Sequence, residues 1–268
     1  MDNVEVKCKN IVAVVMAGGL GTRMNSDIPK VLHKLCGIHL IVHIIIKLKT
    51  LSTFRPLKKI AVVVREEIKE SVMEAIDRFM DNSPLITYII QPEPLGTGNA
   101  LQCCIPFLNK YKNATTMILS GDVPMFSSYS MANLTQEITC VNMLTIVLDD
   151  PTGYGRVIVN DKNEFVKIVE ESECTPNEFA SHRVNCGIYA FNTEMLIRWL
   201  PSLTNNNSKG EYFLTDVVGL IKNNEPQAEI SLYTVDKERF YEVTGVNTQE
   251  QLEALAAIVK EKHGYKVV

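Results

Sequence analysis

Arg23 and Lys30 stand just behind a glycine-rich turn in Val14-Val15-Met16-Ala17-Gly18-Gly19-Leu20-Gly21-Thr22-Arg23-Met24, which Pro29-Lys30 follows. Glycines without a Cβ let backbone N–H groups point into one concave space, which suits the oxygens of a nucleoside triphosphate. The two cations bring positive charge to the same phosphates. The loop predicts the nucleotide site of an enzyme that handles activated phosphates. It is not a dinucleotide fingerprint, because Met24 stands where the third glycine would be, and no Walker sequence exists in the chain. Taken alone, it also reads as a plain turn between strand and helix.

Two further polar segments follow apolar runs. In Gln91-Pro92-Glu93-Pro94-Leu95-Gly96-Thr97-Gly98-Asn99-Ala100, turn residues give way to helix formers, so Gly96 and Thr97 are expected at a helix start. Backbone donors and a hydroxyl there would face a base or phosphate, and Gln91 offers an amide to a base edge. Met117-Ile118-Leu119-Ser120-Gly121-Asp122 puts a carboxylate at a strand tip, where a hard divalent cation can sit beside phosphate oxygens. An Asp that caps the next turn is the simpler reading of that segment. Later, Gly153, Gly155, Glu170, Asn185 and Asn247 recur at the edges of strand-like runs. Glu170 and Asn185 have the donors and acceptors for sugar hydroxyls, although Glu171 beside Glu170 equally fits a solvated acidic face.

The elements that must position these residues are short β-branched runs alternating with amphipathic stretches. Ile11–Val15, Ile60–Val64, Ile86–Ile90, Met117–Leu119 and Met143–Leu148 read as strands. Val31–Leu48, Glu66–Met80 and Gln251–Lys262 read as helices. The alternation predicts an α/β fold with a mixed, mostly parallel sheet flanked by helices. Ligands then lie over the carboxyl ends of strands, where the Ala17–Arg23 loop falls.

With 268 residues, 46% hydrophobic and 22% charged, the composition is that of a globular protein. A net charge of −4 argues against nucleic acid as partner. Seven cysteines without metal-ligand or disulfide spacing, and a first decade too charged for a signal peptide, point to the cytoplasm. The apolar run Leu40–Leu48 is broken by His43 and Lys47 and is too short to cross a bilayer, so no membrane partner is expected. The five histidines show no ligand spacing and read as structural or solvated.

Taken in order, the segments resemble the pyrophosphorylase domain of the bifunctional N-acetylglucosamine-1-phosphate uridyltransferase/glucosamine-1-phosphate acetyltransferase family. The likeness runs from Ile11 to about Leu255. It includes Ala17-Gly18-x-x-Gly21-Thr22-Arg23-Met24, Asp27-Ile28-Pro29-Lys30-Val31-Leu32, Leu95-Gly96-Thr97-Gly98, Gly121-Asp122-Val123-Pro124, Asp149-Asp150-Pro151-Thr152-Gly153-Tyr154-Gly155-Arg156, Leu203-Thr204-Asn205-Asn206-Asn207 and Gly210-Glu211-Tyr212. The resemblance implies a Rossmann-like nucleotidyltransferase that joins UTP and N-acetylglucosamine 1-phosphate to give UDP-N-acetylglucosamine and pyrophosphate. By that likeness Met16, Ala17, Gly18 and Gly19 line the nucleotide, Arg23 and Lys30 hold the triphosphate, and Gln91, Gly96 and Thr97 contact uracil. Asp122 and Asn247 would ligate Mg²⁺, and Gly155, Glu170 and Asn185 would hold the amino sugar.

The family commonly has Gln, Tyr and Thr where this chain has Pro94, Ser120 and Cys186. The first two differences bear on base selectivity. The family's hexapeptide-repeat domain does not follow, so residues 1–247 are expected to form the nucleotidyltransferase domain and residues 248–268 a helical extension, without acetyltransferase activity. That leaves the oligomeric state open. Two alternatives stand beside this reading: a nucleotidyltransferase for glucose 1-phosphate or another base, and a non-catalytic sugar-nucleotide sensor.

Overall fold

The computed structural model describes residues 10–80 and 83–263. Most of the charged first decade, with Cys8, and the last five residues of the expected extension lie outside the described residues. The chain runs from β1 (Ile11–Met16) through β2 (Lys34–Leu35) and β3 (Ile38–His39) into α1 (Leu40–Leu51). Then come β4 (Leu57–Val64), α2 (Glu66–Met80), β5 (Ile86–Ile90), α3 (Thr97–Cys103), α4 (Ile105–Leu108) and β6 (Thr115–Ser120). The second half holds α5 (Ser128–Leu134), β7 (Val141–Val147), β8 (Arg156–Val159), β9 (Phe165–Val169), α6 (Pro176–Phe179) and β10 (Arg183–Asn192). It ends with α7 (Thr193–Trp199), α8 (Leu214–Asn224), β11 (Ile230–Val235) and α9 (Gln249–His263).

The main sheet has the order β11-β7-β10-β6-β1-β4-β5, with β8 and β9 branching from β10. Strands β6, β1, β4 and β5 run parallel, whereas β10 is antiparallel to β6 and β7. After β1 the chain builds outward through β4 to β5, then returns to lay β6 on the other side of β1. The connections out of β1 and β6 therefore part at their carboxyl ends, and a crevice opens between them.

Alternate residues of each strand face opposite sides, so one β-branched run serves two cores. Ile11, Ala13 and Val15 pack with the apolar stripes of α1, α2 and α5, while Val12 and Val14 pack with α3, α4, α7 and α8. Helix α9 makes a third cluster, in which Leu252, Leu255 and Val259 meet Met24, Leu35, Leu40, Met125 and Val246. The loops around the crevice thus rest on an apolar base. Among the described residues no helix is long and apolar enough to cross a membrane.

The expected helix over Val31–Leu48 is corrected by the structure. A 3₁₀ turn covers Lys30–Leu32, the β2–β3 hairpin follows, and the helix begins only at Leu40. Cys36 (φ 49°) and Gly37 (φ 89°) both take the left-handed region, as the two central residues of a tight hairpin turn do. His43 lies inside α1 with Nε2–H donating to the carbonyl of Leu35, 3.0 Å away, and so holds the hairpin to the helix.

Burial, with the Lys47 ammonium nearby, brings the His43 pKa from 6.5 down to about 4. The unfolded chain takes up this proton near pH 6.5 and the folded protein only near pH 4, so stability falls as pH drops through that window. The loss reaches at most about 3 kcal/mol. Urea unfolding of wild type and H43Q from pH 7 to pH 4 checks this: the wild type should lose more stability than the variant over that range.

The start of α3 carries a second constraint. Gly96 has φ 105°, and a Cβ there would lie 2.5 Å from the carbonyl oxygen of Tyr212. With ψ 174° this is a backbone region that essentially only glycine adopts, whose strain costs about 1–3 kcal/mol for other residues, and the clash with backbone adds to it. G96A should lower the thermal midpoint by several degrees, whereas G219A, inside α8 with open space at its Cβ position, should hold it at or slightly above wild type.

Candidate active site

The crevice at the ends of β1 and β6 encloses about 430 Å³. Met16, Ala17, Gly18, Gly19, Arg23, Lys30, Gln91, Gly96, Thr97, Asp122 and Asn247 all line it. The loop after β1 is pinned from both sides. Ala17 N–H donates to the carbonyl of Val63, Gly121 N–H donates to that of Met16, and Arg65 Nε donates to that of Gly18. Sequence reasoning did not single out Arg65, which follows β4 directly.

At the tip of β6, Asp122 is 8% exposed. The hydroxyl of Ser120 donates to its Oδ1 at 2.5 Å, and the Lys30 ammonium pairs with its Oδ2. The same ammonium donates to Oδ1 of Asn247 at 3.0 Å, and Arg23 Nη2 donates to that oxygen at 2.9 Å. Asn247 is fixed by the start of α9: Thr248 and Gln251 form a reciprocal cap, and Gln251 Oε1 also accepts from Asn247 N–H at 2.7 Å. Val246 N–H donates to the carbonyl of Asp122, and Lys47 Nζ donates to that of Pro124, so the loop after β6 is held to α9 and α1.

Oδ2 of Asp122 and Oδ1 of Asn247 therefore converge on the Lys30 ammonium, with the Arg23 guanidinium also on the Asn247 oxygen. Two hard oxygen donors, one of them anionic, fit a divalent cation that takes its other ligands from phosphate oxygens and water. His33, His39 and His182 each bond a backbone carbonyl, as His43 does, and none lines the crevice. The His263 side chain lies outside the described residues.

On the α3 side, Gln91 is 4% exposed and its Nε2 donates to the carbonyl of Gly96 and to Oδ1 of Asn99, both at 3.1 Å. Both amide protons are engaged inside the protein, which leaves Oε1 toward Gly18 as the free acceptor. Thr97 Oγ1 accepts from Leu214 N–H, and backbone bonds join Gly98 to Tyr212 and Tyr212 to Leu95. This zipper carries Glu211 into the crevice wall, a placement no local sequence pattern reveals.

Gly155, Glu170 and Asn185 are not among the residues that line the crevice; they form a second group of their own. Asn185 N–H donates to the carbonyl of Gly155 at 2.9 Å, and Glu170 Oε1 lies 3.7 Å from the place a Cβ on Gly155 would take. Strand β10 is bulged between Asn185 and Tyr189, and Asn185 Oδ1 accepts from Gly187 N–H within that bulge. Burial raises the pKa of Glu170, opposed by the Lys209 ammonium and a hydrogen bond from Thr215; nearby Glu173 and Glu211 add to the rise. The alternative of a solvated acidic face fails here, because Glu170 is half-buried and Glu171 turns away to pair with Arg156.

The model of the family described as "Nucleotidyl transferase" matches residues 12–259. A protein named as a probable UDP-N-acetylglucosamine pyrophosphorylase from Acanthamoeba polyphaga mimivirus is 38% identical over 92% of this chain and 95% of its own length. The bifunctional protein GlmU of Clostridium botulinum is 36% identical over 95% of this chain but only 53% of its own length. The chain thus spans about half the length of such bifunctional relatives. A crystal structure assigned as a glucose-1-phosphate thymidylyltransferase from Bacillus anthracis superposes with a TM-score of 0.70 at 19% identity, covering 94% of this chain and 96% of that one, and shares the fold. Matched along nearly all its length by the family model and by relatives more than a third identical, the chain belongs to the nucleotidyl transferase family.

Proposed function

We propose that this protein joins UTP and N-acetylglucosamine 1-phosphate to give UDP-N-acetylglucosamine and pyrophosphate, with Mg²⁺ as cofactor. One observation carries the reading: Arg23, Lys30, Asp122 and Asn247, from three distant parts of the chain, meet at the ends of β1 and β6 over a glycine-rich loop. The relatives' names supply the substrates. Met16, Ala17, Gly18 and Gly19 line the nucleotide, and Gln91 Oε1 suits the N3–H of uracil as an acceptor. Gly96 and Thr97 lie on the same wall. Gly155, Glu170 and Asn185, the second group, would hold the sugar. Residues 1–247 make up the catalytic unit and residues 248–268 its extension, whose described part is α9 with the capped start that fixes Asn247, and the site of action is the cytoplasm.

A sugar phosphate oxygen is already anionic, so in-line attack on the α-phosphorus needs no strong general base. Alignment and charge neutralisation are what remain. Lys30 and Arg23 would turn from Asp122 and Asn247 to the phosphate oxygens, and the backbone N–H groups of the loop would add donors. Asp122 and Asn247 would hold Mg²⁺, which supplies Lewis-acid neutralisation of the phosphates. Glu170, half-buried beside Gly155, would accept hydrogen bonds from the sugar.

Pyrophosphate release with Mg²⁺, across UTP, dTTP, CTP and GTP against N-acetylglucosamine, glucosamine and glucose 1-phosphates, tests the reading. Turnover should peak with UTP and N-acetylglucosamine 1-phosphate. A peak at dTTP or glucose 1-phosphate would give the chain another specificity, and nucleotide binding without turnover would make it a sensor. D122N removes one charge without a change in volume, and kcat should fall on the order of 100- to 1000-fold with the fold intact. E170A should raise the KM for sugar phosphate most; a change confined to UTP would refute its sugar-side place.

A further inference from the structure

Two adjacent carboxylates follow β9 and do different work. Glu170 faces Gly155, whereas Glu171 crosses to the loop between β7 and β8. Both oxygens of Glu171 accept from the N–H of Gly153, each at 2.9 Å, and its Oε1 also accepts from Arg156 Nη2 at 3.0 Å. Arg156 is 1% exposed. Its Nη1 donates to the carbonyl of Pro151 at 2.8 Å and to that of Tyr154. The ring of Phe179 lies over the guanidinium, 5.0 Å from centroid to Cζ, and closes it from water. Gly153 itself stands at φ 84°, so the turn is held in a conformation that few residues adopt unaided.

We propose that Glu171 and Arg156 act as positioning residues that strap the Pro151–Gly155 loop and so set the distance between Gly155 and Glu170. The inference rests on the sugar-side reading of Gly155 and Glu170 given above, and it adds a specificity element to that side of the site. The desolvated guanidinium is bound through Nη1 and Nη2 to two carbonyls and one carboxylate, while its Nε has no partner among the described residues, so any loosening leaves a buried charge still shorter of partners. The loop therefore cannot drift to admit a differently shaped sugar without breaking the strap.

Truncating Arg156 would strand Glu171 and endanger folding, so the informative variant is E171Q, which keeps size and loses the charge. Hydrogen–deuterium exchange at the Gly153 amide should accelerate about tenfold, as expected when a charge-assisted hydrogen bond is weakened. The KM for sugar 1-phosphate should rise roughly tenfold, with kcat and the KM for UTP within about twofold of wild type. An unchanged Gly153 amide would overturn the strap, and so would a loosened loop whose sugar and UTP constants move together. If E170A raises the sugar KM while E171Q leaves it alone, the strap fails and the sugar-side reading survives. A wild-type protein without turnover on any sugar 1-phosphate would sink both.

Discussion

The ammonium of Lys30 meets the carboxylate of Asp122 and the carboxamide of Asn247, residues 92 and 217 positions further along the chain. Asp122 is nearly excluded from water, and a carboxylate so placed is costly unless a partner neutralises it. Everything around it serves that contact. The parallel core brings β1 and β6 side by side, the 3₁₀ turn Lys30–Leu32 packs Lys30 against Gly21 of the loop, and the capped start of α9 delivers Asn247. The charges that satisfy one another in the free protein are those a polyanionic substrate with its cation would engage on the proposed reading. The same constraint therefore serves folding and chemistry.

The parts of this arrangement that depend on local chemistry were legible in the sequence. Helix α2 and strand β5 have the bounds that periodicity predicts, and Gly96 and Thr97 do begin a helix. Burial on both faces makes β1 and the central parts of β4 (Ile60–Val64) and β6 (Met117–Leu119) apolar runs, which is why those parts stand out, while the flanking Lys58, Lys59, Thr115, Thr116 and Ser120 did not read as strand. The glycine loop was readable for the same reason: its backbone requirement is local.

What was hidden depends on partners far along the chain. The helix reading over Val31–Leu48 ran through a hairpin because the turn residues are Cys36-Gly37, a weaker signal than Asn-Gly, and the flanking strands are two residues each. Gln91 looked like a free amide, yet a buried amide finds partners wherever the fold offers them, and Gly96 and Asn99 take both its protons. Arg65, Glu211 and Thr215 enter the site region only through tertiary contacts. As neighbours in sequence Glu170 and Glu171 carry the same local signal, and only the family likeness singled out Glu170. Their separation comes from the end of β9, after which one carboxylate stays beside Gly155 and the other finds a buried guanidinium.

The sheet itself divides the labour that the proposed reaction requires. Parallel strands end together on one edge, so loops after β1, β4, β5 and β6 pool backbone donors and charges suited to a triphosphate. The antiparallel half contributes from inside its strands, through the bulge at Asn185 and the turns that flank β8 and β9. A bulge re-aims one side chain without moving its neighbours, and a strapped loop fixes one distance without stiffening the crevice. Tolerance therefore differs between the two sides. Ser120 and Pro94 change the crevice wall by one side chain each, while on the proposed reading the shape of the sugar side depends on the pairing of buried Arg156 with Glu171.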